Sequence, residues 1–136
     1  MKPVKTDATN FTYSLPGGTS ENDLPCRRED GRVFSTWEPD ADDLACLSPD
    51  YPRVVLLVHW PGPTGCSIQV GDGVIHGTLT RREPLEQAMI QPFDGPKAWE
   101  YSQVLTDREV QVLRDGARIE IVVDATPPPP ISLYLA

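Results

Sequence analysis

Two stretches of this chain carry the same physical signals in the same order, and that internal echo limits its fold more than any other feature. Residues 36–70 read TWEPDADDLACLSPDYPRVVLLVHWPGPTGCSIQV, and residues 102–135 read SQVLTDREVQVLRDGARIEIVVDATPPPPISLYL, aligned with one gap at Tyr51. Identical pairs are few: Leu47 with Leu113, Arg53 with Arg118, Val58 with Val123, Pro63 with Pro128 and Ser67 with Ser132. The succession of signals is the stronger evidence. Each stretch begins with a helix cap and an acid three residues later, Asp40 with Asp43 and Thr106 with Glu109, the pattern of a capping box. Asp43 is the shorter of the two acids for reaching back to its cap. Leu44 and Leu47 then correspond to Val110 and Leu113, an i, i+3 apolar stripe on a short helix. Ser48-Pro49 stops the first helix and Asp115-Gly116 stops the second.

A strand follows in each stretch, Arg53 to His59 and Arg118 to Asp124. One face carries Val54, Leu56 and Val58 in the first and Ile119, Ile121 and Val123 in the second. The opposite face of the second carries Glu120 and Asp124, a solvated pattern, whereas the first carries Val55 and Leu57 there and reads as buried on both faces. A turn rich in Pro and Gly leads to closing strands that alternate in step, Cys66, Ile68 and Val70 against Ile131, Leu133 and Leu135. Pro127 to Pro130 thus read as a stiff turn into a core strand, and removing residues 131–136 is expected to unfold the chain.

Upstream, Asp30-Gly31 precedes Arg32 to Thr36 and Asp94-Gly95 precedes Ala98 to Ser102, both hairpin signals. Asn10 to Tyr13 and Val74 to Leu79 are the candidate opening strands. The expected fold is α+β, mainly antiparallel β with two short helices, as two pseudo-repeated β-β-α-β-β modules over residues 1–70 and 71–136. At that size neither module buries much core alone, so the two are expected to pack together as one cooperative unit.

Composition narrows the function classes. The chain of 136 residues is 39 % hydrophobic and 24 % charged, too apolar for disorder, and its 15 Pro and 10 Gly disfavour a helical bundle. Its net charge of −8, with Arg27-Arg28 and Arg81-Arg82 as the main basic pairs, lacks the positive footprint that a nucleic-acid groove needs. The opening MKPVKTDATN lacks the apolar core expected of a signal peptide, and the longest aliphatic run, Val54 to Val58, is far short of a membrane span. A soluble protein of the cytoplasm is the expectation. Cys26, Cys46 and Cys66 form no CxxC pair and read as reduced thiols.

Candidate chemistry is sparse. His59, followed by Trp60, and His76 have no metal or general-base partners placed by spacing. In Leu24-Pro25-Cys26-Arg27-Arg28 the adjacent cations favour a thiolate, but no His or Asn helper is marked, so a structural cysteine is the simpler reading. Gly71, Gly73 and Gly77 in VGDGVIHG have neither a phosphate-loop spacing nor a Walker lysine, and read as a tight turn. No catalytic, cofactor-binding or metal-ligating residue is therefore assigned, and no cofactor is expected. The most localised charge feature is Glu38, Asp40, Asp42 and Asp43 beside Trp37. These acids suit a helix N-terminus, and they also suit a contact patch for a basic partner, with Trp37 as an aromatic anchor. Trp60 and Trp99 read as packing residues.

ATNFTY at residues 8–13, DLPC at 23–26, the S-x-W at 35–37 that enters the acid-capped helix, and the closing PPPPISLYL resemble small proteins of bacterial phages and prophages. That family has the pattern in a single-module chain, whereas the N-terminal motif here lies in the first half alone. The resemblance implies a phage origin and carries no catalytic residue. The expectation that follows is a non-enzymatic accessory protein, in the cytoplasm of the bacterial host, that binds a host protein with a basic surface. An inhibitor of an anti-phage defence complex, similar in role to anti-CRISPR proteins, fits that description. A virion or assembly component and a small-ligand or nucleotide sponge are the alternatives, with homo-oligomers compatible with exposed strand edges.

Overall fold

A computed structural model describes residues 1–14, 23–58, 66–71, 80–82, 86–90, 98–125 and 131–136. The architecture is α+β, mainly antiparallel sheet with two short helices. In chain order the strands are β1 (Lys2–Val4), β2 (Phe11–Tyr13), β3 (Leu24–Glu29), β4 (Arg32–Glu38), β5 (Arg53–Val58), β6 (Cys66–Val70), β7 (Thr80–Arg82), β8 (Glu86–Ile90), β9 (Ala98–Val104), β10 (Ile119–Val123) and β11 (Ile131–Leu135). Helix α1 (Ala41–Ala45) follows β4 and α2 (Asp107–Arg114) follows β9.

Local chemistry sets the element ends. Asp30 and Gly31 both take positive φ, 53° and 76°, the backbone of a two-residue turn whose twist matches the flanking strands β3 and β4. Each helix begins in a complete capping box. The Thr106 hydroxyl accepts the Glu109 N–H at 3.2 Å while the Glu109 carboxylate accepts the Thr106 N–H at 2.9 Å. Asp43 closes the same box on Asp40, accepting its N–H at 2.9 Å, so the shorter side chain reaches after all. Past α2 the chain turns at Gly116, whose φ of 102° suits a residue without a Cβ.

Two sheets share one core. The larger runs β2-β3-β4-β10-β6-β7, with β1 also on β4, and the smaller runs β11-β5-β9-β8. All of these pairings are antiparallel. The inner faces supply Trp37, Ile68, Val70, Ile119 and Ile121 from one sheet and Val54, Leu56, Tyr101, Leu133 and Leu135 from the other, all in one hydrophobic cluster. Leu113 and Val112 of α2 join it, with Leu44 of α1 packed at its margin. Val55, on the opposite face of β5, is also buried while Leu57 is half-buried; on β10, Asp124 is exposed and Glu120 partly so, but Val122 between them is buried.

The strands interleave between the halves of the chain. β4 takes β10 as its partner, and β5 lies between β9 and β11. Residues 1–70 and 71–136 are thus joined within each sheet, not stacked side by side as separate bodies. The registers follow a single rule. Ile119 faces Trp37 and Val70, and Val54 faces Gln103 and Leu135. Ile121 faces Ser35 and Ile68, and Leu56 faces Tyr101 and Leu133. The one-gap alignment of residues 36–70 with 102–135, carried one residue upstream to Ser35 and Tyr101, takes each first set onto the second. Backbone bonds at the strand ends obey it too: Gly71 donates to the Arg118 carbonyl at 2.8 Å and Ala136 to the Arg53 carbonyl at 2.9 Å.

β3 flanks β4 as β8 flanks β9, with Arg28 opposite Val33 and Met89 opposite Trp99. The strand ahead of each hairpin signal is therefore β3 or β8. Phe11–Tyr13 does form a strand, β2, but it lies outside β3, and Val74–Leu79 falls outside the described residues. Asp94-Gly95 and Pro127–Pro130, where turns are expected from the sequence, also fall outside them.

Candidate functional site

The acidic run enters the structure where β4 gives way to α1. Glu38 ends β4 and lies 3.4 Å from the Arg118 guanidinium, with both side chains about half exposed. Asp43 is committed to the cap and also accepts from the Met1 amino group at 3.1 Å. Asp40 accepts the Asp43 N–H at 2.8 Å, and that backbone donor holds its carboxyl below the usual carboxylate range. Asp40 and Asp42 are exposed. Of the four acids, then, Glu38 and Asp43 have cationic partners, while Asp40 at the N-cap and Asp42 in the first turn of α1 are exposed.

Trp37 does not belong to that exposed face. Alternation along β4 sends Val33, Ser35 and Trp37 inward, and Trp37 is 5 % exposed. Its indole N–H donates to the Ser35 hydroxyl at 2.8 Å within the core. The expectation of an aromatic anchor is corrected by this burial: the ring fills the core and has little surface to offer a partner. The sequence concealed this because a Trp beside acids reads alike for either face until the strand's phase is known.

The other sequence candidates separate widely. Burial pushes the Cys26 thiol up, outweighing the opposing pull of Arg28, so the adjacent cations do not produce a thiolate. The guanidinium of Arg28 stacks 3.6 Å from the Phe11 ring centroid and that of Arg27 lies 3.9 Å from the Phe34 centroid, with Arg27 also paired to Glu29. A basic pair is thereby spent on packing β2, β3 and β4. Burial, then the neighbouring Asp124, pushes the Cys66 thiol up to about 12, and Cys46 is exposed. No disulfide joins the three cysteines. His59, Trp60, Gly73, His76 and Gly77 fall outside the described residues. Gly71 follows β6 with φ 89°.

A small pocket lies between β1, β3 and β4, bordered by Val4, Cys26, Arg27, Thr36 and Glu120. Its volume of about 30 Å³ suits a water molecule or two. Among the described residues no three His, Cys, Asp or Glu side chains converge as metal ligands, and no helix is long and apolar enough to cross a membrane.

Exposed strand edges are expected from the sequence, but not which strand forms one beside the acids. β11 ends the smaller sheet, and α1 packs against β11. The exposed acids of α1 are thus neighbours of a strand edge that no strand among the described residues pairs with. The signal in the sequence was ISLYL itself, five residues without a charge, where edge strands usually carry one.

No protein-family model, curated protein or solved structure matches the chain.

Proposed function

We propose that the protein is a non-enzymatic binding protein whose exposed carboxylates on α1 meet the basic surface of a host protein. The observation that carries this reading is the division among the acids: Asp43 and Glu38 have cationic partners in the fold, whereas Asp40 and Asp42 are presented to solvent beside the β11 edge. Asp42 lies outside the capping box, so neither of the box's hydrogen bonds uses its carboxylate. A net charge of −8 extends the attraction for a basic partner and speeds encounter at low salt. The phage resemblance suggests a host target, and within that class an anti-phage defence complex inhibited in the manner of anti-CRISPR proteins.

The chain itself is read as two copies of one β-β-α-β-β unit, supported by the common register of the two sheets. The test of function is capture of host proteins on immobilised protein, at low and raised salt, with wild type and Asp42→Lys. Asp42→Lys leaves the capping box intact, so folding is checked by circular dichroism alongside. A specific partner lost on charge reversal and weakened by salt is the expected result. Retention of the same partner, indifferent to both changes, overturns the charge-based reading.

A further inference from the structure

We infer that the outer edge of β11 is a docking site for an extended, basic segment of a partner protein, which adds to the smaller sheet as an antiparallel strand. The occupied counterpart of this edge is present in the same molecule. β6 holds the place in the larger sheet that β11 holds in the smaller one, because Ile68 and Val70 face β10 as Leu133 and Leu135 face β5. The free side of β6 accepts β7, with Ile68 opposite Arg82, Gln69 opposite Arg81 and Val70 opposite Thr80. The free side of β11 has no strand among the described residues.

The backbone phase is fixed. Arg53 and Ala136 exchange both N–H bonds, at 2.8 and 2.9 Å, so ladder alternation turns Tyr134 and Ser132 toward β5 and sends the N–H groups of Leu133 and Leu135 to the open edge. The same alternation, set by Gly71 donating to Arg118, directs Ile68 and Val70 at β7. A strand arriving at β11 thus finds the donors and acceptors that β7 finds at β6.

The chemistry of the occupant follows from its surroundings. β7 is Thr80-Arg81-Arg82, a basic tripeptide beside the strand that α2 packs on. β11 adjoins α1, with Asp40 and Asp42 exposed. A second copy of the chain is the disfavoured occupant: pairing β11 with itself brings together two acid-bearing helices and two molecules of net charge −8. Tyr134, 40 % exposed on the outer face of β11, offers a ring to a guanidinium on the incoming strand.

This inference rests on the proposed function for the partner's charge alone; the strand edge stands on the register. The test is titration of the full-length protein with a synthetic peptide of residues 77–84, GTLTRREP, followed residue by residue through amide hydrogen exchange. Exchange at Leu133 and Leu135 is expected to slow by at least about tenfold at saturating peptide, with Ser132 and Tyr134 little changed. The peptide with both arginines replaced by glutamine is expected to bind several-fold more weakly. Equal binding of the two peptides at β11 overturns the basic character of the partner and, with it, the charge-based function. Binding that alters only Ile68 and Val70, by displacing β7, or no binding at all, overturns the docking edge while leaving capture through Asp42 to be judged separately. Protection of Leu133 and Leu135 that rises with protein concentration alone, together with dimer mass in sedimentation, overturns it in favour of a second copy.

Discussion

Ile119, from the second half of the chain, lies directly opposite Trp37 from the first, and the β4–β10 pairing built around them joins the two halves inside one sheet. β5 is enclosed the same way between β9 and β11. Folding of either half therefore requires strands that the other supplies.

Fragments 1–70 and 71–136 are accordingly expected to be unfolded when produced separately, and to regain β-sheet circular dichroism and cooperative melting when mixed. Each fragment alone would leave β5, β6 or β10 without a principal partner. A cooperative melt from either fragment by itself would show that the interleaving is dispensable.

Ser35 and Trp37 are coupled inside the core through a 2.8 Å hydrogen bond. Ser35→Ala leaves the indole N–H buried without its acceptor, and is expected to destabilise by about 1–3 kcal/mol in urea denaturation. Adding Trp37→Phe removes the stranded donor, so the double variant should lose less than the sum of the single changes. Strict additivity would mean that the bond contributes nothing.

Asp40 gives α1 a pH dependence of defined sign. Its carboxyl is held below the usual range by the Asp43 N–H, so ionised Asp40 favours the folded state. That contribution is complete above its unfolded value of about 3.8 and is lost as pH falls through the lowered folded value. The stability advantage of wild type over Asp40→Asn is expected to be constant near neutrality and to vanish in acid. An advantage that grows on acidification would reverse the sign.

The thiols should sort by burial. Cys46 is exposed, whereas Cys26 is 2 % and Cys66 is 6 % exposed. With its pKa near 12, Cys66 holds on the order of one part in ten thousand as thiolate at pH 8. One thiol is expected to react promptly with a disulfide reagent in the native protein and all three in denaturant. Prompt native reaction of Cys66 would contradict its burial in β6 beside β10.

Much of this fold was legible because its signals are local. Capping boxes, the Asp30-Gly31 turn and the alternation of Ile131, Leu133 and Leu135 depend on near neighbours in sequence, and each lies where the pattern put it. The exchange of strands between halves was not legible, since the outward pattern of β10 is the same whichever β4 or β9 it joins. Trp37 shows the limit at the level of a site. Its neighbours Glu38 and Asp40 announce a polar surface, and the strand's phase turns the ring away from it.

The open edge of β11 is tested most directly in the free protein by comparing amide exchange at four equivalent positions. The N–H groups of Ile68 and Val70 point at β7 and should exchange slowly; those of Leu133 and Leu135 point away from β5 toward no described strand and should exchange faster by at least about tenfold, although all four side chains are buried. Equal, slow exchange at Leu133 and Leu135 would mean that the edge is already covered, and the docking site would be lost with it.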